Sequence, residues 1–114
     1  MSSHCLFCKI VRGDIPSEAV FEDDSIRAFK DIHPKAPVHI LVVPKKHIDS
    51  IQTLVDGDRE TILDVIYGAK AIAENIGLEG YKLVFNVGRK GGQVIDHIHL
   101  HILGGWDAHG TLDI

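Results

Sequence analysis

Three histidines alternate with apolar residues near the end of the chain, in the segment HIHLHIL that covers residues 97–103. Side chains of a β-strand point to opposite faces with a period of two, so a strand here places His97, His99 and His101 on one face. The intervening residues then face a core: Ile98, Leu100 and Ile102. Imidazole titrates near neutral pH, and the row therefore predicts nucleophilic, acid–base or metal-binding chemistry on its face.

A single metal ion held by all three histidines is disfavoured by their spacing. At roughly 3.3 Å per residue, the Cα atoms of His97 and His101 are about 13 Å apart in a strand. Two nitrogens on one tetrahedral zinc lie only about 3.4 Å apart. A linear row of rings suits a substrate that lies along the strand, where one ring attacks while its neighbours bind oxygens and move protons.

Two neighbouring features extend the candidate site. The glycine-rich segment GRKGGQ, residues 88–93, precedes the histidines and predicts a loop whose backbone N–H groups bind an anion. His39 begins a second β-branched segment, HILVVP. From these residues alone, His39 is either part of the site or a polar residue at a strand end.

Composition limits the class of protein. The 114 residues, of which 45% are hydrophobic, predict one folded domain spanning residues 1–114. A net charge of −4 leaves no basic surface for nucleic acid. No apolar run approaches the roughly 20 residues of a membrane span, and MSSHCLFCKI lacks the apolar region of a signal peptide. We therefore expect a cytoplasmic protein with reduced thiols, and neither nucleic acid nor membrane as a partner.

The remaining patterns predict an α+β fold. Residues 5–12 predict a short helix ended by Gly13, and residues 49–55 predict one or two helical turns. Apolar residues recur at intervals of three and four from Asp58 to Ile76, which indicates one long helix with Gly77 at its C′ position. Strands are predicted at 19–23, 26–32, 39–44, 82–87 and in the histidine segment. We expect a five-stranded antiparallel sheet with one long helix and a short N-terminal helix.

Motifs along nearly the whole chain resemble one known family. HIHLHIL has the pattern His-φ-His-φ-His-φ-φ, where φ is apolar. The order and spacing also agree in CLFCKIVRGDIPSEAVFEDD, AFKDIHPKAPVHILVVPKKHI and FNVGRKGGQVIDHIHLHILGG. These segments are similar to the Hint branch of the histidine triad (HIT) superfamily. The resemblance implies a homodimeric nucleotide-binding hydrolase that cleaves purine nucleoside phosphoramidates, such as AMP joined to an amine.

The resemblance assigns catalytic roles by position. His99 would attack phosphorus and form a nucleotidyl-histidine, with a backbone carbonyl accepting its far N–H. His101 would lie against the phosphate oxygens and help to place or donate the proton for the leaving amine. His39 and His97 would form a supporting hydrogen-bond network. Gln93 and the loop backbone would stabilise charge on the phosphoryl oxygens, and catalysis would need no metal.

The resemblance also assigns a nucleotide site. The apolar purine-binding positions correspond to Leu6, Phe7, Ile10 and Phe29. Packing in the core is the alternative role for each of these side chains. The ribose-binding and phosphate-binding positions correspond to Asp31, Ile32, Asn86, Gly92, Gln93 and Val94, together with His99 and His101. Val94 stands where many eukaryotic relatives have Ser, so one phosphate hydrogen bond is missing or comes from the backbone.

A structural zinc site is a second expectation. Cys5 and Cys8 have the C-x₂-C spacing of zinc sites. In zinc-bearing relatives the two further ligands correspond to His47 and His97. A Cys₂His₂ set is a closed tetrahedral site, so the ion would tie the N-terminal helix to the histidine segment. The alternative is a pair of reduced, partly buried thiols.

Other function classes remain open beside the phosphoramidase. The same triad spacing fits a hydrolase or transferase acting on dinucleoside polyphosphates, and it fits a non-catalytic nucleotide-sensing module. A metallohydrolase that uses the triad as zinc ligands would lose activity to chelators. Two local departures from the family also matter: Asp96 has the parity of core-facing residues and needs an edge or a partner, and the divergent tail carries Trp106 and His109.

Overall fold

Five segments form one antiparallel sheet: β1 (Ala19–Glu22), β2 (Ile26–Lys30), β3 (Val38–Pro44), β4 (Tyr81–Phe85) and β5 (Leu100–Gly104). The computed structural model describes residues 4–107, so His109 lies outside it. The strand order is β1-β2-β3-β5-β4, which places the last strand of the chain between β3 and β4. The predicted α+β class and five-stranded sheet are confirmed.

Two α-helices accompany the sheet, close to the predicted bounds. Helix α1 (Leu6–Arg12) begins at Cys5, whose Sγ accepts a hydrogen bond from the Cys8 N–H, and ends at the left-handed Gly13. Helix α2 (Arg59–Asn75) is one residue shorter at each end than predicted. Gly77 follows it with φ of 81°, as expected for a C′ glycine. The predicted turns at 49–55 appear as one 3₁₀ segment, Ile51–Thr53, and a second 3₁₀ segment, Asp56–Asp58, follows just beyond that range.

Alternation along the strands buries apolar side chains on both faces of the sheet. On one face, α2 packs its buried residues Val65, Ala69 and Ile72 against the strands. The strand residues of this core are Ile26, Ala28, Ile40, Val42, Leu100 and Ile102. On the opposite face, α1 packs Phe7 and Ile10 against Phe29, Leu41 and Val43. The second core lies beside the histidines and so determines their surroundings.

The predicted row of three histidines on one strand is wrong for two of them. β5 begins only at Leu100, which pairs with Val42 of β3 and with Phe85 of β4. His97 and His99 precede the strand, and the Ile98 N–H donates to the Ile48 carbonyl instead. β4 ends at Phe85, opposite Leu100, whereas β3 continues to Pro44 without pairing with the residues before Leu100, whose backbone bonds to Ile48. The core-facing orientation of Leu100 and Ile102 is confirmed.

Within residues 4–107, no helix has both the length and the apolar character required to cross a membrane.

Candidate functional site

His99 presents one unprotonated ring nitrogen. Its Nδ1–H donates to the backbone carbonyl of His97 at 2.8 Å, and a carbonyl can only accept, so the neutral ring has its lone pair on Nε2. The edge of the ring packs on Phe7, with centroids 5.0 Å apart. Burial lowers the pKa of His99, and the hydrogen bond to the carbonyl opposes this only in part. The ring is therefore a neutral base with the proton on the nitrogen nearer the backbone.

His101 and His39 form a second group of rings beside His99. His101 lies in β5 opposite Leu41, and His39 lies two residues earlier in β3, so both side chains project from the same face. His39 Nε2 and His101 Nδ1 are 2.9 Å apart. The rings of His99 and His101 are 5.1 Å apart. Burial and the neighbouring histidines lower the pKa of His101 to about 4, and burial also lowers that of His39.

Asp31 closes this group on the side of the predicted ribose site. Its Oδ2 lies 3.5 Å from His39 Nε2, and its Oδ1 accepts the backbone N–H of His33 at 2.8 Å. The adjacent Ile32 is 84% exposed. The Asp31 side chain is 20% exposed, so the carboxylate is in part accessible from the surface.

The glycine-rich loop is held in shape by Gln93. The Gln93 side chain is buried, its Oε1 accepts the Gly88 N–H, and its Nε2 donates to the carbonyls of Asp49 and Ile95. Both amide hydrogens are therefore used inside the protein, and none is left for a phosphoryl oxygen. The expected direct contact from Gln93 to phosphate does not fit this geometry, and its contacts instead shape the loop.

Most N–H groups of the loop are also bonded inside the protein: that of Gly88 to Gln93 Oε1, that of Gly92 to the Arg89 carbonyl, and those of Gly91 and Gln93 to the Gly88 carbonyl. Gly88 and Gly92 both have positive φ, 70° and 89°, on either side of the 3₁₀ turn Arg89–Gly91. Asn86 Nδ2 donates to the Gly91 carbonyl at 3.0 Å, which ties the predicted sugar-side residue to the same turn. An anion-binding nest in this turn would therefore have to use the N–H groups of Arg89 and Lys90. The expected pairing of Asp96 is present, since it contacts Arg89 at 2.9 Å.

The predicted purine-binding residues separate into two groups. Phe7, Ile10 and Phe29 are buried in the core beneath α1, so packing accounts for them, although Phe7 also contacts the rings of His97 and His99. Leu6 is 40% exposed, and Val94, a predicted phosphate-side residue, is 76% exposed. These two line a depression beside Cys5 and His47 rather than one beside Asp31. The structure therefore does not bring the full predicted set together around one base.

The predicted metal ligands do converge. The sulfurs of Cys5 and Cys8 and a ring nitrogen of each of His47 and His97 all lie within 4.8 Å of one another. Sγ–Nδ1 distances are 3.3 Å for Cys5–His97, 3.2 Å for Cys8–His47 and 3.6 Å for Cys8–His97. The sulfur–nitrogen edge of a tetrahedral zinc site is about 3.5 Å, given Zn–S of about 2.3 Å and Zn–N of about 2.0 Å. The donor set and its spacing thus fit zinc.

The outer nitrogens of both rings are anchored as metal-binding histidines require. His97 Nε2–H donates to the Pro44 carbonyl at 2.8 Å, and His47 Nε2–H donates to Asp49 at 2.7 Å. Each ring therefore turns its unprotonated Nδ1 towards the sulfurs. Burial holds the pKa of His97 at about 4, and burial together with Cys5 raises that of Cys8 to about 11. A bound cation would reverse the preference of the thiol for its neutral form.

Sequence reasoning missed three supporting groups. Asp49 lies two residues after His47, and a carboxylate so close to a candidate ligand was a readable signal. The Pro44 carbonyl and the Lys35 amide act through the backbone. Side-chain identity carries no information about such contacts, because any non-proline residue supplies an amide and every residue supplies a carbonyl.

The comparisons with known proteins agree on one family. The HIT domain model matches residues 12–108. The purine nucleoside phosphoramidase of Escherichia coli is 41% identical over 107 residues, which cover 92% of this chain and 90% of that protein. A HIT family hydrolase from Legionella pneumophila superposes with a TM-score of 0.89 at 52% identity, covering 91% of this chain and 95% of that one.

One similar structure contains zinc. A zinc-bound histidine triad family protein from Mycobacterium smegmatis has a TM-score of 0.79 at 29% identity, covering 91% of this chain and 76% of that one.

Proposed function

This chain belongs to the HIT family, and on that premise we propose that it hydrolyses purine nucleoside phosphoramidates through a nucleotidyl intermediate on His99. The observation that carries the proposal is the lone pair on His99 Nε2, produced by the hydrogen bond from Nδ1–H to the His97 carbonyl. A neutral, correctly protonated imidazole is a competent nucleophile at neutral pH. The similarity to the phosphoramidase of E. coli supports the choice of substrate.

The reaction divides into two displacements at phosphorus. In the first, His99 Nε2 forms a bond to phosphorus, the P–N bond of the substrate breaks, and the departing nitrogen takes up one proton. In the second, water attacks phosphorus, the bond to His99 breaks, and the nucleoside monophosphate leaves with release of one proton. The two proton steps balance, and His99 returns to its starting form. Splitting one difficult step in two is the advantage of a covalent intermediate.

The surrounding groups would bind the substrate and its developing charge. The N–H groups of Arg89 and Lys90 would bind the non-bridging oxygens, with Gln93 holding the loop in shape. Donors already placed before the reaction stabilise charge at little cost in reorganisation. Asp31 would accept hydrogen bonds from the ribose hydroxyls, and the exposed Ile32 would pack on the nucleoside.

The test is to trap the intermediate. Protein mixed with adenosine 5′-phosphoramidate and quenched in base should gain the mass of one adenylate, as read by intact mass spectrometry. His99→Ala should neither gain this mass nor hydrolyse the substrate, while His33→Ala, at an exposed histidine, should do both. Hydrolysis by His99→Ala at the wild-type rate would reject the proposal. A diadenosine polyphosphate assayed in parallel separates the phosphoramidase from the alternative hydrolase.

We also propose that Cys5, Cys8, His47 and His97 hold a structural zinc ion. Four protein ligands close the coordination shell, so the ion would supply stability and no open position for substrate. His97 would then connect α1, the end of β3 and the nucleophile, since its ring faces the sulfurs and its carbonyl holds His99. Elemental analysis should find one zinc per chain, and about none in Cys8→Ser.

A homodimer is the partner we propose for the exposed edge of the sheet. β4 pairs with β5 on one side only, and Leu83, on the face that α2 covers, is exposed. Leu63 and Ile66 are likewise exposed on α2. An uncovered strand edge beside apolar side chains is a surface that a second copy can cover. Light scattering should give twice the chain mass, and Leu83→Lys should shift the mass towards one chain.

A further inference from the structure

A backbone amide determines which nitrogen of His39 carries a proton. The Lys35 N–H donates to His39 Nδ1 at 3.0 Å. A ring nitrogen that accepts a hydrogen bond carries no hydrogen, and a neutral imidazole keeps its single N–H on the other nitrogen. His39 is buried, and burial disfavours the charged ring. The proton of His39 therefore lies on Nε2.

The position of the proton on His39 determines the position of the proton on His101. Its Nε2 lies 2.9 Å from His101 Nδ1, and since Nε2–H is the donor, Nδ1 is the acceptor. The proton of a neutral His101 then lies on its own Nε2. Asp31 Oδ2, 3.5 Å from the same nitrogen of His39, also requires a donor there and so agrees with this assignment.

The nucleophile has the opposite tautomer. His99 is protonated on Nδ1 and bare on Nε2, because its partner is a carbonyl. The adjacent rings of His99 and His101, with centroids 5.1 Å apart, thus have opposite tautomers, and a backbone group determines each tautomer. The His97 carbonyl makes His99 an attacking group at Nε2, and the Lys35 amide makes His101 a donor at Nε2.

We propose that the Lys35 amide, acting through His39, holds His101 as a neutral hydrogen-bond donor to a phosphoryl oxygen rather than as the general acid; this rests on the function proposed above. The chain of hydrogen bonds ends in a peptide N–H, which does not give up its proton at neutral pH. If His101 released its Nε2 proton, neither His39 nor Lys35 could replace it without forming an anionic ring. His101 therefore keeps its proton while His99 attacks, and the departing nitrogen is protonated from solvent.

The tautomers can be read directly from the free protein by two-bond ¹⁵N–¹H correlation NMR at pH 7. Wild type should show His101 with its proton on Nε2 and His99 with its proton on Nδ1. Lys35→Pro removes the amide hydrogen, whereas Lys35→Ala keeps it. His39→Gln keeps a side-chain donor, whereas His39→Met, of similar size, has none. Lys35→Ala and His39→Gln should preserve the His101 tautomer, and Lys35→Pro and His39→Met should lose it.

Kinetics supply the second readout. Loss of one preorganised donor costs up to 100- to 1,000-fold in rate, so a donor that is misdirected in part should lower kcat by about 10- to 100-fold. We expect this loss in Lys35→Pro relative to Lys35→Ala and in His39→Met relative to His39→Gln, with little change in KM. If Lys35→Pro fails to fold, as thermal denaturation would show, the His39 pair decides.

A kcat loss confined to the phosphoramidate, and absent for adenosine 5′-phosphorofluoridate, would show that His101 is a general acid, because fluoride leaves without a proton. Three further results would overturn the proposal. The first is a proton on His101 Nδ1 in wild type, and the second is an unchanged Nε2 tautomer in His39→Met. The third is a wild type with the expected tautomers that hydrolyses no phosphoramidate; this rejects the proposed function, and with it the role of the donor, while leaving the tautomers established.

Discussion

The ring of His99 is held by the backbone of His97, through a hydrogen bond of 2.8 Å from Nδ1 to the carbonyl oxygen. The ring of His97 belongs to the cysteine–histidine cluster, and its Nε2 is anchored to Pro44. One residue therefore contacts both candidate sites, with its ring in one and its carbonyl in the other. Because the ring of His97 serves one site and its carbonyl the other, removal of the metal and substitution of His99 test the two sites separately.

Removing zinc should weaken the fold without stopping the chemistry. A ligand present at 100 times its Kd stabilises the folded state by about 2.7 kcal/mol, which is several degrees in Tm for a small domain. We expect a chelator to lower the Tm of zinc-loaded protein accordingly, as measured by calorimetry. Hydrolysis assayed well below the new Tm should continue, because no step uses the metal.

The contrary result would be loss of hydrolysis on chelation at a temperature where circular dichroism still reports folded protein. That outcome would favour a metallohydrolase. Zinc added back should restore the Tm of wild type and leave that of Cys8→Ser unchanged, which controls for other effects of the chelator.

Stability should fall in mild acid because of His101. Burial lowers its pKa from 6.5 to about 4 in the folded state, whereas the unfolded chain titrates near 6.5. Between these values the unfolded state binds more protons, so the contribution is complete above pH 6.5 and is lost as pH falls towards 4. Between pH 7 and pH 4.5, the free energy of unfolding should fall less in His101→Gln than in wild type, by on the order of 2 kcal/mol after allowing for partial exposure. Urea unfolding at the two pH values measures this difference.

The other buried rings titrate in both proteins, so the difference between wild type and His101→Gln isolates this one residue. His33→Gln, at an exposed position, should follow wild type at both pH values. Equal losses of stability in wild type and His101→Gln would contradict the prediction.

Gln93→Glu should destabilise the protein although it preserves shape. The substitution removes the two N–H donors that now satisfy the carbonyls of Asp49 and Ile95. Leaving buried acceptors unpaired costs about 1–3 kcal/mol each, so we expect a loss of about 2–4 kcal/mol in chemical unfolding. Gln52→Glu, at an exposed position, should change stability by less than about 0.5 kcal/mol. An equal effect of the two substitutions would argue against a structural role for Gln93.

Gly92→Ala should disturb the anion-binding loop. Gly92 has φ of 89°, and an added Cβ would lie 3.3 Å from Asn86 Nδ2. A left-handed backbone costs about 1–2 kcal/mol for an ordinary residue, and the shift of the loop should raise KM for the phosphoramidate. Gly91→Ala is the matched control, because its φ is not positive and no atom lies within 4 Å of the added Cβ. Steady-state kinetics and chemical unfolding of both variants measure KM and the free energy of unfolding. Equal changes in Gly92→Ala and Gly91→Ala would contradict the prediction.

Local patterns were sufficient for most of the fold. Both helices, all five strands and the glycines that end the helices could be predicted, because periodicity and left-handed glycines act over a few residues. The beginning of β5 could not, since it depends on contacts with segments distant in the chain. Pairing begins at Leu100, opposite Val42 and Phe85, and just before it the Ile98 N–H donates to the Ile48 carbonyl instead of to a strand.

The sequence by itself determined the family, the fold class and the set of candidate site residues, since these follow from residue type and spacing. Only the tertiary structure decided what each ring does. His97 lies with Cys5 and Cys8, and His99 is bare at Nε2. The Lys35 amide, acting through His39, determines which nitrogen of His101 carries the proton. The physical reason is that a histidine's proton position is set by its hydrogen-bond partner, and these partners are backbone groups and distant side chains that only folding brings near.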